Sequence, residues 1–133
     1  MYSRPKDISP EVREHLKLMK ARPGMYIGSV SLTKLWHFID GMKFYSQVFD
    51  KDPGRVIIPE GFNEFAAERY GENLNAHNSF SMVLKEEKDE RAALFRWFDL
   101  LDEYLVSLGY EPLGEREKIF EEFRNRHRQD DVP

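Results

Sequence analysis

The sequence predicts an all-α fold, a compact bundle of about five helices that forms a single domain over residues 1–133. Apolar residues recur at helical spacing in several segments, and proline or glycine separates most of these segments. A β-branched run at 56–58 predicts at most a minor extended segment, because Pro59 ends it at once. With 41% hydrophobic and 14% aromatic residues, the chain can bury a core without disulfides or metals.

The first two helices have clear start signals. Ser9 can cap a helix over residues 10–21, which has a proline and a glutamate in its first turn. Ser31 can cap a second helix over residues 32–49, which carries a stripe of apolar and aromatic side chains. Gly41 interrupts this helix at a cost of about 1 kcal/mol relative to alanine, or it allows a close helix crossing.

The middle of the chain gives weaker signals. A third helix over residues 59–70 ends at Gly71. Residues 72–78 are polar and predict a loop, whereas residues 79–86 fit either a short helix or a strand. The conformation of residues 72–88 therefore stays open.

Two helices complete the predicted bundle. Asp89 can cap a fourth helix over residues 90–108, and a last helix spans residues 115–128 before a frayed tail at 129–133. The fourth helix is apolar over more than half of its circumference, which is typical of a central helix. We expect it to form the centre of the bundle together with the second helix.

One carboxylate lies on the apolar face of the fourth helix. Asp102 falls between Phe98 and Leu105 in helical projection. A carboxylate in such surroundings needs a partner or contact with water. We expect either a position at the rim of the buried face or a partner such as Arg22.

The composition excludes several classes of protein. The absence of cysteine excludes a disulfide framework, thiolate metal sites and cysteine nucleophiles. No apolar run approaches the roughly 18–20 residues of a membrane span, and the polar N-terminus lacks the apolar core of a signal peptide. We therefore expect a cytoplasmic protein. The formal net charge of -4 argues against nonspecific nucleic-acid binding.

The residue types that could carry catalysis or bind a metal do not stand at the spacing that these functions need. No two histidines stand at the helical spacing of zinc ligands, and the serines lack the context of a nucleophile elbow. The 8 glycines are scattered singly rather than arranged as a phosphate cradle. The sequence therefore predicts no catalytic residue, no metal and no cofactor. The histidines considered are His15, His37, His77 and His127.

The most distinctive segment is Arg-Pro-Gly-Met-Tyr-Ile-Gly at residues 22–28. Its proline and glycine predict a tight turn that ends the first helix. Met25, Tyr26 and Ile27 would then plug the core, and Gly28 would permit the turn into the second helix. The predicted structural loop consists of Arg22, Pro23, Gly24, Met25, Tyr26 and Gly28.

These seven residues resemble a motif in the ATPase domain of type II topoisomerases, the DNA gyrase B subunit and its relatives. In that family the motif precedes a helix whose glutamate activates water and whose asparagine holds magnesium. With Asp40 aligned on the family's helix aspartate, His37 and Gly41 stand at those two positions. The glycine-rich nucleotide motifs are also missing, so the resemblance does not extend to the ATPase chemistry.

A second resemblance spans roughly residues 15–105. The loop at 22–28 is followed by Ser-Leu-x-x-Leu from Ser31, by Gly-Phe-x-Glu-Phe from Gly61 and by Asp-Glu-Arg-Ala-Ala-Leu-Phe from Asp89. This order resembles a family of small uncharacterised bacterial proteins. Small acidic chains of this kind are similar to immunity proteins, the cytosolic inhibitors that protect a cell from secreted toxin domains.

Two acidic groups are candidates for a partner-binding surface. Glutamates recur every four residues on the third helix, a pattern that could attract a basic partner but that also occurs on solvated faces. The second group precedes the fourth helix, where the helix dipole accounts for part of it. The candidate residues are Glu60, Glu64, Glu68, Glu86, Glu87 and Asp89.

Three functions follow from these observations. The leading expectation is a non-enzymatic, cytosolic immunity-type inhibitor that binds a basic toxin domain, a nuclease, without contacting nucleic acid or membrane itself. The alternative is a small regulatory or scaffold protein that self-associates through aromatics such as Trp36, Tyr45 and Phe49. The third is a minimal nucleotide-binding protein that uses His37, Asp40 and the glycine-containing loop. The oligomeric state stays open.

Overall fold

The computed structural model describes residues 8–49, 57–73 and 77–130, without the side chains of 127–130. These residues form helices and loops and contain no strand, which confirms the all-α class. The described residues form seven helices, where about five were predicted. They are α1 (Pro10–Ala21), α2 (Pro23–Ile27), α3 (Leu32–Phe49), α4 (Phe62–Tyr70), α5 (Ser79–Glu86), α6 (Glu90–Ser107) and α7 (Arg116–Asp130).

The two additional helices are short and begin at local start signals. In α2, Pro23 occupies the first turn, and Gly28 ends the helix with a φ of 79°. The predicted turn is therefore one turn of helix. In α5, the Asn78 side chain accepts a hydrogen bond from the Ser81 backbone at 2.9 Å, and the Ser81 hydroxyl interacts in return with the Asn78 N–H at 2.9 Å. This capping box selects the helix where the sequence left helix and strand open.

The predicted helix caps are present. Ser9 Oγ accepts from the Val12 N–H at 3.2 Å, Ser31 Oγ from the Lys34 N–H at 3.2 Å, and Asp89 Oδ2 from the Ala92 N–H at 3.0 Å. Each bond satisfies one N–H that a helix start would otherwise leave unpaired.

Two predicted boundaries are wrong. Helix α4 begins at Phe62 rather than at Pro59, because Gly61 has a left-handed φ of 88° and Glu60 lies in the preceding turn. Helix α7 continues to Asp130, so it includes the first two residues of the tail predicted to be frayed. Residues 131–133 and Val56 lie outside the described part of the chain.

Helix α6 is the centre of the core and packs against α3, α4 and α5. Its Trp97 is fully buried and donates its indole N–H to Ser79 Oγ at 3.0 Å. The Trp97 ring stacks on Phe80 with 4.9 Å between ring centroids, and Phe80 stacks in turn on Trp36 at 5.6 Å. Helix α3 is buried only at Leu32, Leu35 and Ile39, so only its first half shares the central position predicted for it.

Asp102 of α6 is bonded to α1 and to the loop that precedes α7. Its carboxylate accepts from Lys20 Nζ at 2.8 Å, from the Leu113 N–H at 2.7 Å and from the Gly114 N–H at 3.3 Å. The prediction that Arg22 pairs with Asp102 is wrong, because the Arg22 guanidinium lies over the Phe120 ring, 5.0 Å from the ring centroid.

Candidate functional site

The three glutamates of the predicted strip are all exposed, and together they are called the acidic ridge. Glu64 and Glu68 belong to α4, whereas Glu60 precedes it in the turn. None of the three carboxylates forms an ion pair with a cation among residues 8–49, 57–73 and 77–126. The acidic ridge therefore keeps its negative charge available to a partner.

A polar cleft of about 270 Å³ extends the acidic ridge toward α3, and it is called the acidic cleft. Glu60 and Glu64 line it together with Asp40 from α3, while Lys43 is a cation on the same rim. Asp40 was not among the residues predicted for the partner-binding surface. No local signal could have done so, because only the packing of the α3 and α4 regions brings these side chains together.

The second acidic group has a partly structural role. Glu86 is exposed at the end of α5, and the Glu87 N–H bonds to the Val83 carbonyl as the C-cap of the same helix. The Asp89 carboxylate caps α6 through the Ala92 N–H. Glu86 is thus the exposed member of this group that caps no helix.

The predicted structural loop at 22–28 does not plug the core as expected. Pro23 is buried, but Met25 is 73% exposed, and Tyr26 and Ile27 are only half-buried against the core. The reason is that residues 23–27 form α2 on the outside of the bundle, where only one side of the helix meets α1 and α3.

An apolar cleft of about 550 Å³ lies between α1, α2 and α7, and it is called the arginine cleft. Burial raises the pKa of the Tyr26 hydroxyl, which therefore stays a neutral phenol at physiological pH. The hydroxyl lies 3.4 Å from His15 Nδ1. The lining residues of the arginine cleft are Leu18, Ala21, Arg22, Met25, Tyr26, Phe120, Phe123 and Arg124.

The last two turns of α3 present an exposed apolar patch. Phe44, Tyr45, Val48 and Phe49 are each 54–67% exposed, and Tyr45 and Phe49 contact each other with 5.1 Å between ring centroids. Tyr45 also lines a cavity of about 810 Å³ between α1 and α3. Trp36 does not belong to this patch, because it is half-buried against Phe80.

The residues considered for nucleotide chemistry do not converge on one site. His37 is exposed, stacks on Trp36 and lines the cavity between α1 and α3, whereas Asp40 lines the acidic cleft. Neither cavity includes Gly24 or Gly28 of the glycine-containing loop.

The described residues carry neither a candidate metal cluster nor a candidate membrane span. They contain no group of three or more histidine, aspartate or glutamate side chains that could hold a metal ion. Among the seven helices, none combines the length and the apolar character that a membrane span requires.

Comparisons with known proteins give no match. No protein-family model matches the chain, and no curated protein or solved structure matches it either. The two resemblances of the sequence therefore stay predictions.

Proposed function

We propose that the protein is a non-enzymatic, immunity-type inhibitor that binds a basic toxin domain, a nuclease, through its acidic ridge and acidic cleft. The single observation that carries this proposal is the exposure of Glu60, Glu64 and Glu68 without an ion pair to any described cation. Asp40 adds a fourth carboxylate to the same side of the molecule.

The charge of this surface suits a nuclease partner. A nuclease binds phosphates through basic residues, and a row of carboxylates presents the same sign of charge as a nucleic-acid backbone. An acidic surface also accelerates encounter with a basic protein and disfavours acidic proteins as partners. Occupation of the phosphate-binding groove would block the substrate without any chemistry on the inhibitor's side.

The acidic cleft offers such a partner a defined point of attachment. A lysine or arginine side chain that entered it would meet the carboxylates of Asp40, Glu60 and Glu64. Carboxylates stabilise a guanidinium or an ammonium through charge-assisted hydrogen bonds. We therefore expect the central contact of the interface to be a basic side chain of the toxin domain.

The test is binding between the purified protein and the product of the gene adjacent to its own, the candidate toxin domain. We expect a one-to-one complex whose association rate falls as salt concentration rises. The triple variant E60Q/E64Q/E68Q should associate about tenfold more slowly at low salt, because three steering charges are removed. Surface plasmon resonance measures both rates.

The matched control is the triple variant E111Q/E115Q/E117Q, which changes net charge equally at three other exposed glutamates. A general effect of net charge would slow both variants alike and would contradict a specific role for the acidic ridge. If the folded toxin domain forms no complex with the wild-type protein, the inhibitor proposal fails.

A second candidate function is self-association through the apolar patch of α3. It is favoured by the exposure of Phe44, Tyr45, Val48 and Phe49 on two successive turns, which is unusual for a surface without a partner. Sedimentation equilibrium tests it. A stable dimer that becomes a monomer in the variant Y45S/F49S would support this function, and a wild-type monomer at high concentration would exclude it.

A further inference from the structure

The arginine cleft combines an apolar floor with two cationic groups. Its floor is formed by side chains from three helices, among them Leu18, Phe120 and Phe123, and its cations are Arg22 and Arg124. None of the described residues that line it carries a carboxylate. At about 550 Å³ it is within the size range of ligand-binding clefts.

The two arginines of this cleft have no carboxylate partner in the described part of the chain. Arg22 contacts the Phe120 ring at 5.0 Å and Met25 Sδ at 3.5 Å, and Arg124 is exposed. By contrast, Arg126 on the same helix as Arg124 forms two hydrogen bonds with Glu14, at 2.9 and 3.2 Å. Arg22 and Arg124 therefore keep N–H donors that suit bidentate binding of an external carboxylate.

Met25 makes the mouth of the cleft adaptable. It is 73% exposed, although a buried position would be expected for so apolar a side chain. An unbranched thioether can adjust to differently shaped apolar side chains, as it does at other peptide-binding surfaces. Its position beside Arg22 places an apolar contact and a cation next to each other.

We propose that the arginine cleft binds an acidic amphipathic peptide segment of a protein partner. An apolar side chain of this segment would enter between Met25 and Phe120, and flanking carboxylates would pair with Arg22 and Arg124. Charge complementarity selects this occupant, because the cleft presents two cations and no anion. The inference goes beyond the proposed inhibitor function, whose partner is basic.

The experiment is a selection of random short peptides, displayed on phage, against the full chain. We expect the selected peptides to combine an aromatic or aliphatic residue with two or more acidic residues. Fluorescence anisotropy with the best synthetic peptide should give a Kd that Arg124→Glu weakens by at least about tenfold, because a charge-assisted hydrogen bond becomes a repulsion. Lys34→Glu is the matched control, since Lys34 is exposed on α3 and lies outside the cleft.

Arg124→Glu should leave the fold intact, because Arg124 is exposed, and circular dichroism checks this. The proposal is overturned if no peptide is selected, if the selected peptides lack acidic residues, or if Arg124→Glu and Lys34→Glu weaken binding equally. Displacement of the peptide by laurate, with the same dependence on Arg124, would assign the cleft to a fatty acid and would also overturn it.

Discussion

Asp102 and Lys20 form a partly buried ion pair that joins the central helix α6 to α1. Their side chains are 16% and 7% exposed, and the carboxylate also accepts bonds from two backbone N–H groups. Asp102→Ala would leave the ammonium and these N–H groups desolvated and short of partners. We expect it to lower the free energy of unfolding by about 3–5 kcal/mol in urea denaturation.

Asp99→Ala is the control for this prediction, because Asp99 is exposed on the same helix. It should change the free energy of unfolding by less than about 0.5 kcal/mol. A loss below about 1 kcal/mol for Asp102→Ala would mean that the pair contributes little beyond a surface ion pair.

Two glycines should respond to alanine in opposite directions. Gly41 lies inside α3, and a Cβ there would meet no atom within 4 Å. This open space shows that Gly41 does not permit a close helix crossing. Gly41→Ala should therefore raise the free energy of unfolding by about 0.5–1 kcal/mol. Gly61 has a φ of 88°, and a Cβ there would collide with the Tyr104 hydroxyl.

Gly61→Ala should accordingly lower the free energy of unfolding by about 2 kcal/mol or more, from backbone strain and the lost hydrogen bond of Tyr104 to the Glu60 carbonyl. Thermal unfolding followed by circular dichroism separates the two variants. An equal shift of both melting temperatures would contradict the structural difference between these sites.

Sequence information was sufficient for residues that act locally. Ser9, Ser31 and Asp89 cap the helices they were predicted to cap, because a cap and its N–H partner are three residues apart. The predicted partner of Asp102 was wrong. The observed partner, Lys20, is 82 residues away along the chain, and no periodicity links the two positions. Asp40 was missing from the predicted partner-binding surface for the same reason.

At the scale of elements, Glu90 joins the start of α6 to the start of α3. Its carboxylate accepts from the Thr33 N–H at 2.8 Å, from Thr33 Oγ1 at 2.6 Å and from Ser31 Oγ at 3.0 Å. Burial acts to raise the pKa of Glu90, but these hydrogen bonds outweigh it and hold the pKa below its ordinary value. The ionised carboxylate of Glu90, in the first turn of α6, thus caps the start of α3.

This lowered pKa predicts a pH dependence of stability. Glu90 stabilises the fold above its ordinary pKa of about 4.3, and this contribution is lost as pH falls through the lower folded pKa. Glu90→Gln should lower the free energy of unfolding by about 1–2 kcal/mol at neutral pH. The difference in free energy of unfolding between this variant and wild type should shrink below about pH 4. Urea denaturation over this pH range tests it, with Glu115→Gln as the control. A difference that does not change with pH would contradict the prediction.

The elements missed by the sequence analysis are the ones whose signals are short. Residues 23–27 form a single turn, which hydrophobic periodicity cannot detect, although Pro23 and Gly28 mark its two ends. The secondary structure of residues 79–86 was ambiguous in the sequence, and the Asn78–Ser81 capping box in the structure identifies them as a helix. The long helices α3 and α6 were predicted nearly to their ends, because many apolar positions define each of them.

At the scale of the whole molecule, the two proposed surfaces belong to different groups of helices. The acidic ridge lies on α4 and the turn before it, which pack against α5 and α6. The arginine cleft lies between α1, α2 and α7. Helix α7 packs against α1, and none of these three helices is among those that pack closely against α4.

This separation predicts that the two surfaces bind independently. At physiological salt, charges farther apart than about 8 Å are largely screened, so a change on one surface should not alter the other. We expect E60Q/E64Q/E68Q to weaken binding of the toxin domain. The same variant should leave the Kd of the acidic peptide within about twofold of the wild-type value, because the effects of distant sites are additive. Arg124→Glu should do the reverse. Calorimetric titration of each partner in the absence and presence of the other measures the coupling directly. A coupling factor above about fivefold would mean that one ligand changes how helices α1, α2 and α7 pack on the core. The Lys20–Asp102 ion pair would be the contact through which this change acts.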